Sequence, residues 1–216
     1  MTGTPGQRET GKARRAVIAT IVTVVLIVSA GAVVVGCSNN VSEAQKAEQA
    51  GDIATAASLY QAQLKAHPDD LQAVKGLAGM LYVERRWNDA LPVQEKAVAM
   101  DPKEARIRVE LGFNYLNHQN AAGKAVTVFQ EASDLERTAQ YLGFLAQAQT
   151  VAGNVSAAEA SLREALRVDK TYGRAYDLLT ELLEQQGRTA DAAAVRDAAK
   201  SAGVALQSGA ATPGAT

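Results

Sequence analysis

The residues of this chain agree with one another at a spacing of 34. In rows of 34 starting at Cys37, one column reads Gly51, Arg85, Gln119, Gly153, Gly187. Another reads Ala56, Ala90, Lys124, Ala158, Ala192, with Ala125 beside the one misfit. A third reads Leu77, Leu111, Leu145, Leu179, and Pro68 and Pro102 are also one period apart. A fixed period of this length means a repeat architecture. Each copy is one supersecondary unit that covers its apolar face only by stacking on the next.

Within a row the apolar residues mark two helices and a turn. Leu71, Val74, Leu77, Ala78, Leu81 and Tyr82 fall at three- and four-residue steps on one helical face. Arg85-Arg86-Trp87-Asn88-Asp89 breaks the pattern, and Ala90, Leu91, Val93, Ala97, Val98 and Met100 form the second stripe. Asp101-Pro102-Lys103-Glu104 reads as a helix start, with Asp101 as N-cap, proline at the first position and Glu104 completing a capping box. Ser156 and Glu159 read the same way, and His67-Pro68-Asp69-Asp70 reads as another opening. Ala44, Ala78, Gly112 and Ala146, facing the alanine column, let paired helices approach closely. Gly51, Gly153 and Gly187 sit where a helix ends and φ turns positive. Pro92, one turn into its helix, removes a hydrogen bond and predicts a local kink. Aromatic residues are only 5%, which suits helices packed through Ala and Leu.

These residues resemble the tetratricopeptide repeat, a 34-residue helix–turn–helix with small residues at its tightest contacts and proline between copies. Row 71–104 carries it through Leu77-Ala78, Leu81, Arg85-Arg86-Trp87, Ala90, Ala97 and Asp101-Pro102. Row 105–138 has Leu111-Gly112, Tyr115, Phe129 and Ala132, with one extra residue in the Asn120–Gly123 turn. Rows 139–172 and 173–206 follow through Leu145-Ala146, Gly153-Asn154, Ala158, Ala165 and then Tyr176, Leu179, Gly187-Arg188, Ala192. Row 37–70 keeps Ala44, Ala47, Gly51-Asp52, Ala56, Tyr60 and Pro68. Lys170 replaces the junction proline, and Arg196 stands where an apolar residue is usual, as in a capping helix with a wet outer face. The resemblance implies an all-α, right-handed solenoid of about five hairpins over residues 37–204, preceded by one apolar helix. From 205 to 216 the Ser, Gly, Ala, Thr and Pro composition predicts a disordered tail.

Residues 1–15 form a basic segment with Arg8, Lys12, Arg14 and Arg15, and residues 16–36 then run for 21 positions without a charge. As a helix that run is about 31 Å long, enough to cross the hydrocarbon core of a bilayer. Positive charge on its N-terminal flank holds that end in the cytoplasm and puts the repeats on the outer face of the cytoplasmic membrane. Two readings share the far end. Val34-Val35-Gly36-Cys37 resembles the lipobox of bacterial lipoproteins, which makes Cys37 the lipidated first residue of the mature chain. The alternative is a retained signal anchor with an incidental cysteine.

No constellation for catalysis emerges. His67 and His118 are 51 residues apart and read as solvated residues at helix ends, and Asp69-Asp70 reads as a cap. We therefore expect no enzyme, no cofactor and no metal. The net charge of −1 gives no field for nucleic acid. The family binds peptides or partner segments on its first helices. Between their buried columns these carry Lys75, Gly79 and Tyr82; Arg106, Val109, Phe113 and Leu116; Gly143, Gln147 and Thr150; Asp177, Glu181 and Glu184. One reading is a partner groove, apolar and mildly basic in the middle and acidic at its end, with Lys75, Tyr82, Arg106, Phe113 and Leu116 as contacts. The other is packing between successive repeats. Two functions follow: a membrane-tethered scaffold holding a protein or peptide, or an accessory subunit of an envelope pathway such as cytochrome c maturation or cell-wall assembly.

Overall fold

The computed structural model of the chain describes residues 40–207. The basic segment, the apolar run 16–36, Cys37 and residues 208–216 lie outside the described residues. The described part is all-α: α1 (Asn40–Gln49), α2 (Ile53–Ala66), α3 (Leu71–Val83), α4 (Trp87–Met100), α5 (Ala105–Asn117), α6 (Ala122–Leu135), α7 (Ala139–Val151), α8 (Val155–Val168), α9 (Gly173–Gln185) and α10 (Thr189–Ser201). Odd-numbered helices are the first and even-numbered the second of each repeat. The chain divides into two compact units, one ending at Met80 and one beginning at Leu81.

In the first unit α1 packs on α2. Asp52 caps α2 by accepting the Thr55 N–H at 3.1 Å. Asp70 fulfils its expected role as a cap, accepting the Ala73 N–H at 3.1 Å and the Gln63 amide at 2.8 Å. Tyr60 is 2% exposed. Its ring lies over Gly76, where an added Cβ would come within 2.2 Å of it, and its hydroxyl donates to Glu48 at 3.1 Å.

In the second unit α4 to α10 pack in sequence order, each on the next, so the hairpins stack as the period requires. The alanine columns are the seam: Ala90, Ala125, Ala158 and Ala192 are fully buried, and Ala146 is 1% exposed. In the α5/α6 hairpin Phe129 fills the place opposite Gly112, whose missing Cβ would sit 2.6 Å from the ring. One second-helix column, Tyr60, Gln94, Phe129 and Leu162, is buried throughout. Gln94 is the only amide among these. It accepts a hydrogen bond from Asn114, itself fully buried, at 2.7 Å, and Asn114 also donates to the Trp87 carbonyl at 3.0 Å. A buried polar pair thus joins α4 to α5.

The turns hold both agreements and corrections. Gly51, Gly153 and Gly187 have φ of 77°, 78° and 73°, as their column predicts. Arg85 adopts φ 61° in the same place, and Asn120 at φ 49° takes the role that the period assigned to Gln119, because the extra residue shifts the turn by one. Asp101 is not the N-cap of the following helix. The Asp101 N–H still bonds the Ala97 carbonyl at 2.9 Å, so this residue closes α4. Pro102-Lys103 then turn the chain and α5 begins at Ala105 with no side-chain cap. Likewise α3 begins at Leu71, past the Pro68-Asp69 turn. Ser156 lies inside α8, whose N-cap is Asn154, and Glu159 pairs with Arg163 and Arg188 instead. Helix α4 runs through Pro92 to Met100 without interruption.

At the C-terminal end Arg196 is partly exposed and pairs with Glu184, in keeping with a wet outer face. Residues 205–207, read from composition as the start of a tail, are held in place. Val204 and Leu206 pack on the last hairpin, and the Gln207 N–H donates to Asp177 at 3.0 Å. The alternation of Val204 and Leu206 supplies apolar contact that a Ser/Gly/Ala-rich composition conceals.

Two glycines one turn apart give opposite predictions. Gly76→Ala pushes a methyl into the Tyr60 ring and destabilises by about 1–3 kcal/mol, the usual cost of overpacking. Gly79→Ala, with nothing within 4 Å of the added Cβ, gains about 0.8–1 kcal/mol of helix propensity. Urea titration of the two variants checks both signs.

The phenols of Tyr60 and Tyr115 are pushed up to about 12, by burial first and then by their hydrogen bonds to Glu48 and Glu95. A raised folded value means that the fold favours the neutral phenol. This contribution is whole below the ordinary value of 10.0 and is lost as pH rises from there to about 12. Alkaline unfolding followed by circular dichroism, with phenolate absorbance alongside, should coincide with late titration of these two rings. Tyr60→Phe and Tyr115→Phe should move the unfolding to higher pH.

Candidate functional site

The first-helix residues singled out from the sequence have different fates. Lys75 lies in the first unit on α3 and is half-buried. The other four lie in the second unit. Tyr82, in the last turn of α3, is half-buried, with its ring edge-on to Trp87 at 4.9 Å and to His118 at 5.9 Å. Burial pushes its phenol up, a hydrogen bond with Asn117 opposes that, and the Glu110 charge adds to it. Trp87 stacks on His118 with centroids 3.8 Å apart and planes within 4°. His118, read from sequence as solvated at a helix end, is indeed exposed and closes α5, but it is also one face of an aromatic stack. The 31-position separation of Trp87 and His118 hid that contact, since only the stacking of repeats brings them together.

Arg106 is exposed and already engaged, with Nη1 donating to Glu110 at 2.6 Å and Nη2 to Glu104 at 3.2 Å. Phe113 is half-buried and meets Phe129 at 5.3 Å and Phe144 at 4.7 Å, both edge-on. Leu116 packs on the same cluster. For Phe113 and Leu116 packing therefore accounts for most of the side chain. Three residues placed on the open face by sequence spacing are covered. Val109 is 8% exposed, Asp177 is 7% exposed and receives the Gln207 N–H, and Gly143 lies under the Tyr172 ring.

The open part of the first-helix face lies further along, between α7 and α9. A cleft of about 300 Å³ runs there, with Gln147 and Val151 on one wall and Arg174, Leu178, Glu181 and Gln185 on the other. Val151 is 59% exposed at its mouth. Thr150 turns its hydroxyl back to the Ala146 carbonyl at 2.9 Å, which leaves its methyl for the cleft. Gln185 donates to Glu181 at 3.2 Å. The floor is apolar, from Leu162, Leu178 and Leu182. Sequence spacing found Gln147, Thr150 and Glu181. It missed Val151, Leu178 and Gln185, which continue the same face at helical steps but read as core or helix end.

Such a cleft can take an aliphatic side chain and hydrogen-bond the backbone on either side of it, and it carries no nucleophile–base pair. Among the described residues no cluster of three or more His, Cys, Asp or Glu is placed to hold a metal. No described helix is long and apolar enough to cross a membrane.

Residues 41–105 match the family described as tetratricopeptide repeat. A search of the curated proteins finds no match. Among solved structures, a crystal structure of MamA protein is similar with a TM-score of 0.72 at 20% identity, over 77% of this chain and 91% of that one. MamA 41-end from Desulfovibrio magneticus RS-1 gives 0.69 at 13% identity, over 77% and 96%. YrrB, described as a TPR protein with an unusual peptide-binding site, gives 0.68 at 14% identity, over 77% and 86%. At these identities the likeness is one of fold: the described residues share the helical-repeat fold of these structures, and residues 41–105 carry the tetratricopeptide repeat pattern itself.

Proposed function

We propose that this chain is a tethered scaffold that holds a peptide or protein segment on the first-helix face of its second unit, outside the cytoplasmic membrane. The observation that carries the reading is the cleft between α7 and α9, an apolar floor under polar walls with Val151 exposed at its mouth. A protein interaction module needs this combination. Apolar burial supplies affinity, and polar groups at the edge fix register. The fold shared with YrrB, itself a peptide-binding TPR protein, supports it. Tyr82 and Arg106 extend the same series of first helices. Phe113 and Leu116, the other second-unit contacts drawn from the sequence, act chiefly by shaping the surface around them, and Lys75 belongs to the first unit.

The anchor rests on residues 16–36 and on Cys37, and it places the repeats beyond the bilayer.

A photo-crosslinking amino acid at position 151 or 147 in cells should capture a discrete partner. The same probe at Ala193, which is exposed on α10, should not. Val151→Asp together with Leu178→Arg should weaken capture about tenfold or more with the helical spectrum unchanged. Equal adducts at 151 and 193, or capture indifferent to the double variant, would remove the cleft from the reading.

The anchor has its own test in intact-mass measurement of the membrane-extracted protein. A species beginning at Cys37 and carrying a diacylglyceryl group identifies the lipoprotein form, and a species retaining residues 16–36 identifies the signal anchor. Recovery in the cytosol with neither would end the tethered reading while leaving the cleft untouched.

A further inference from the structure

The second-helix face of the second unit carries two complementary surfaces that the cleft does not use. The first is a groove of about 580 Å³ between α8 and α10, floored by Tyr176 and Leu179 of α9 and walled by Leu166 and Val195. Ala194 and Ala198 keep the α10 wall low. Its rim is cationic: Arg163, Arg167 and Lys170 line it against one carboxylate, Asp191, which Arg188 already holds at 2.6 Å. The carboxylates beside the rim are shared. Glu159 serves both Arg163 and Arg188, and Glu164 serves both Arg137 and Arg167. Two guanidiniums hold the Glu164 carboxyl down at about 2. Arg163 and Arg167 keep 53% and 69% of their side chains exposed. Cationic charge stands beside an apolar groove whose floor, Tyr176 and Leu179, is 6% and 1% exposed and whose Leu166 wall is half-buried.

The second surface is the end of α6. Leu135, its last residue, is a large apolar side chain left 42% exposed. Around it stand Glu131, Asp134 and Glu136, all exposed. Of the nearby cations, Arg108, 8% exposed, bonds one member of this collar, Glu131, at 2.9 Å from within, and Arg137 turns to Glu164. This end of α6 is an apolar tip in an acidic collar. The groove is an apolar floor in a basic rim.

We infer that the occupant of the α8/α10 groove is a second copy of this chain, inserting Leu135 over Tyr176 and Leu179 while Glu131, Asp134 and Glu136 face Arg163, Arg167 and Lys170. Opposite charge on the rims steers and registers such a contact, and the apolar tip supplies the burial. Both surfaces lie on second helices of the same unit. A two-fold pair in which each copy fills the other's groove leaves neither open, whereas a one-sided contact continues into chains. The groove is small, so the association is weak and salt-sensitive.

Sedimentation velocity of the full chain in detergent, over about a hundred-fold range of concentration and at low and high salt, reads this directly. The expected result is concentration-dependent association that weakens in high salt. Asp134→Arg or Arg167→Glu alone should weaken it by about tenfold, roughly one kilocalorie and a half by the usual conversion. Mixing the two variants should restore association between them, because the reversed charges again face opposite ones. Leu135→Ser should weaken it without changing its salt dependence. All these positions are exposed, so circular dichroism should be unaltered. A chain that stays monomeric throughout, or association indifferent to both charge reversals, overturns the inference, and so does a mixture that fails to recover.

Discussion

None of the described helices could stand by itself. The described helices have ten to fourteen residues, below the length at which an isolated helix is stable in water. Everything therefore depends on how closely neighbouring helices approach, which the smallest residues at the crossings decide. Fully buried alanines at 90, 125, 158 and 192 bring backbones together. Where a ring must enter, glycine clears the space: Gly76 under Tyr60, Gly112 under Phe129. The complement of large and small side chains fixes where each hairpin sits, and the position of every surface residue follows from it.

The layer between α4 and α5 solves the same problem with polar groups. Gln94 stands in a column otherwise filled by Tyr60, Phe129 and Leu162, and Asn114 answers it from the next hairpin. Such a pair adds less burial than a ring would, and the Gln94 Nε2 has no hydrogen-bond partner among the described residues. A mispaired layer would leave two amides unsatisfied, at a cost of one to several kcal/mol each. That penalty selects one stacking order among hairpins that otherwise resemble each other, much as a buried Asn fixes register in a coiled coil. Repeat proteins need such markers because their layers are nearly interchangeable.

Much of the architecture was legible because the period is a covalent property of the chain. Hairpin order, the small-residue columns and the positive-φ glycines all follow from spacing. Helix starts were less legible. Asp101-Pro102-Lys103-Glu104 has the composition of a capping box, yet the Asp101 N–H stays bonded to Ala97 and the turn takes the residues that the box would use. Local composition cannot tell a helix that opens from one that has just closed when both events share four residues. The surface was the least legible. Asp177 sits at a position that spacing calls open, but residues thirty positions later return to cover it. Trp87 and His118 come together by the same kind of long-range return. Periodicity reports which residues face inward within one repeat and is silent about what arrives from elsewhere.

The insertion in the α5–α6 turn shows why the repeats tolerate change there. A helix cannot absorb one extra residue without rotating every later side chain by about a hundred degrees. A turn can, provided one residue accepts a left-handed conformation. Asn120 does so at φ 49°, and asparagine is among the few residues other than glycine that enter this region at little cost. Arg85 holds the same conformation without that advantage. Its turn is tied down on both sides, by Arg85 N–H to the Tyr82 carbonyl at 3.0 Å and Arg86 N–H to the Leu81 carbonyl at 2.9 Å. Those bonds satisfy the last carbonyls of α3 and offset the strain. The register of α4 against α5 then survives a poor turn residue, because Asn114 reaches back to the Trp87 carbonyl just beyond that turn.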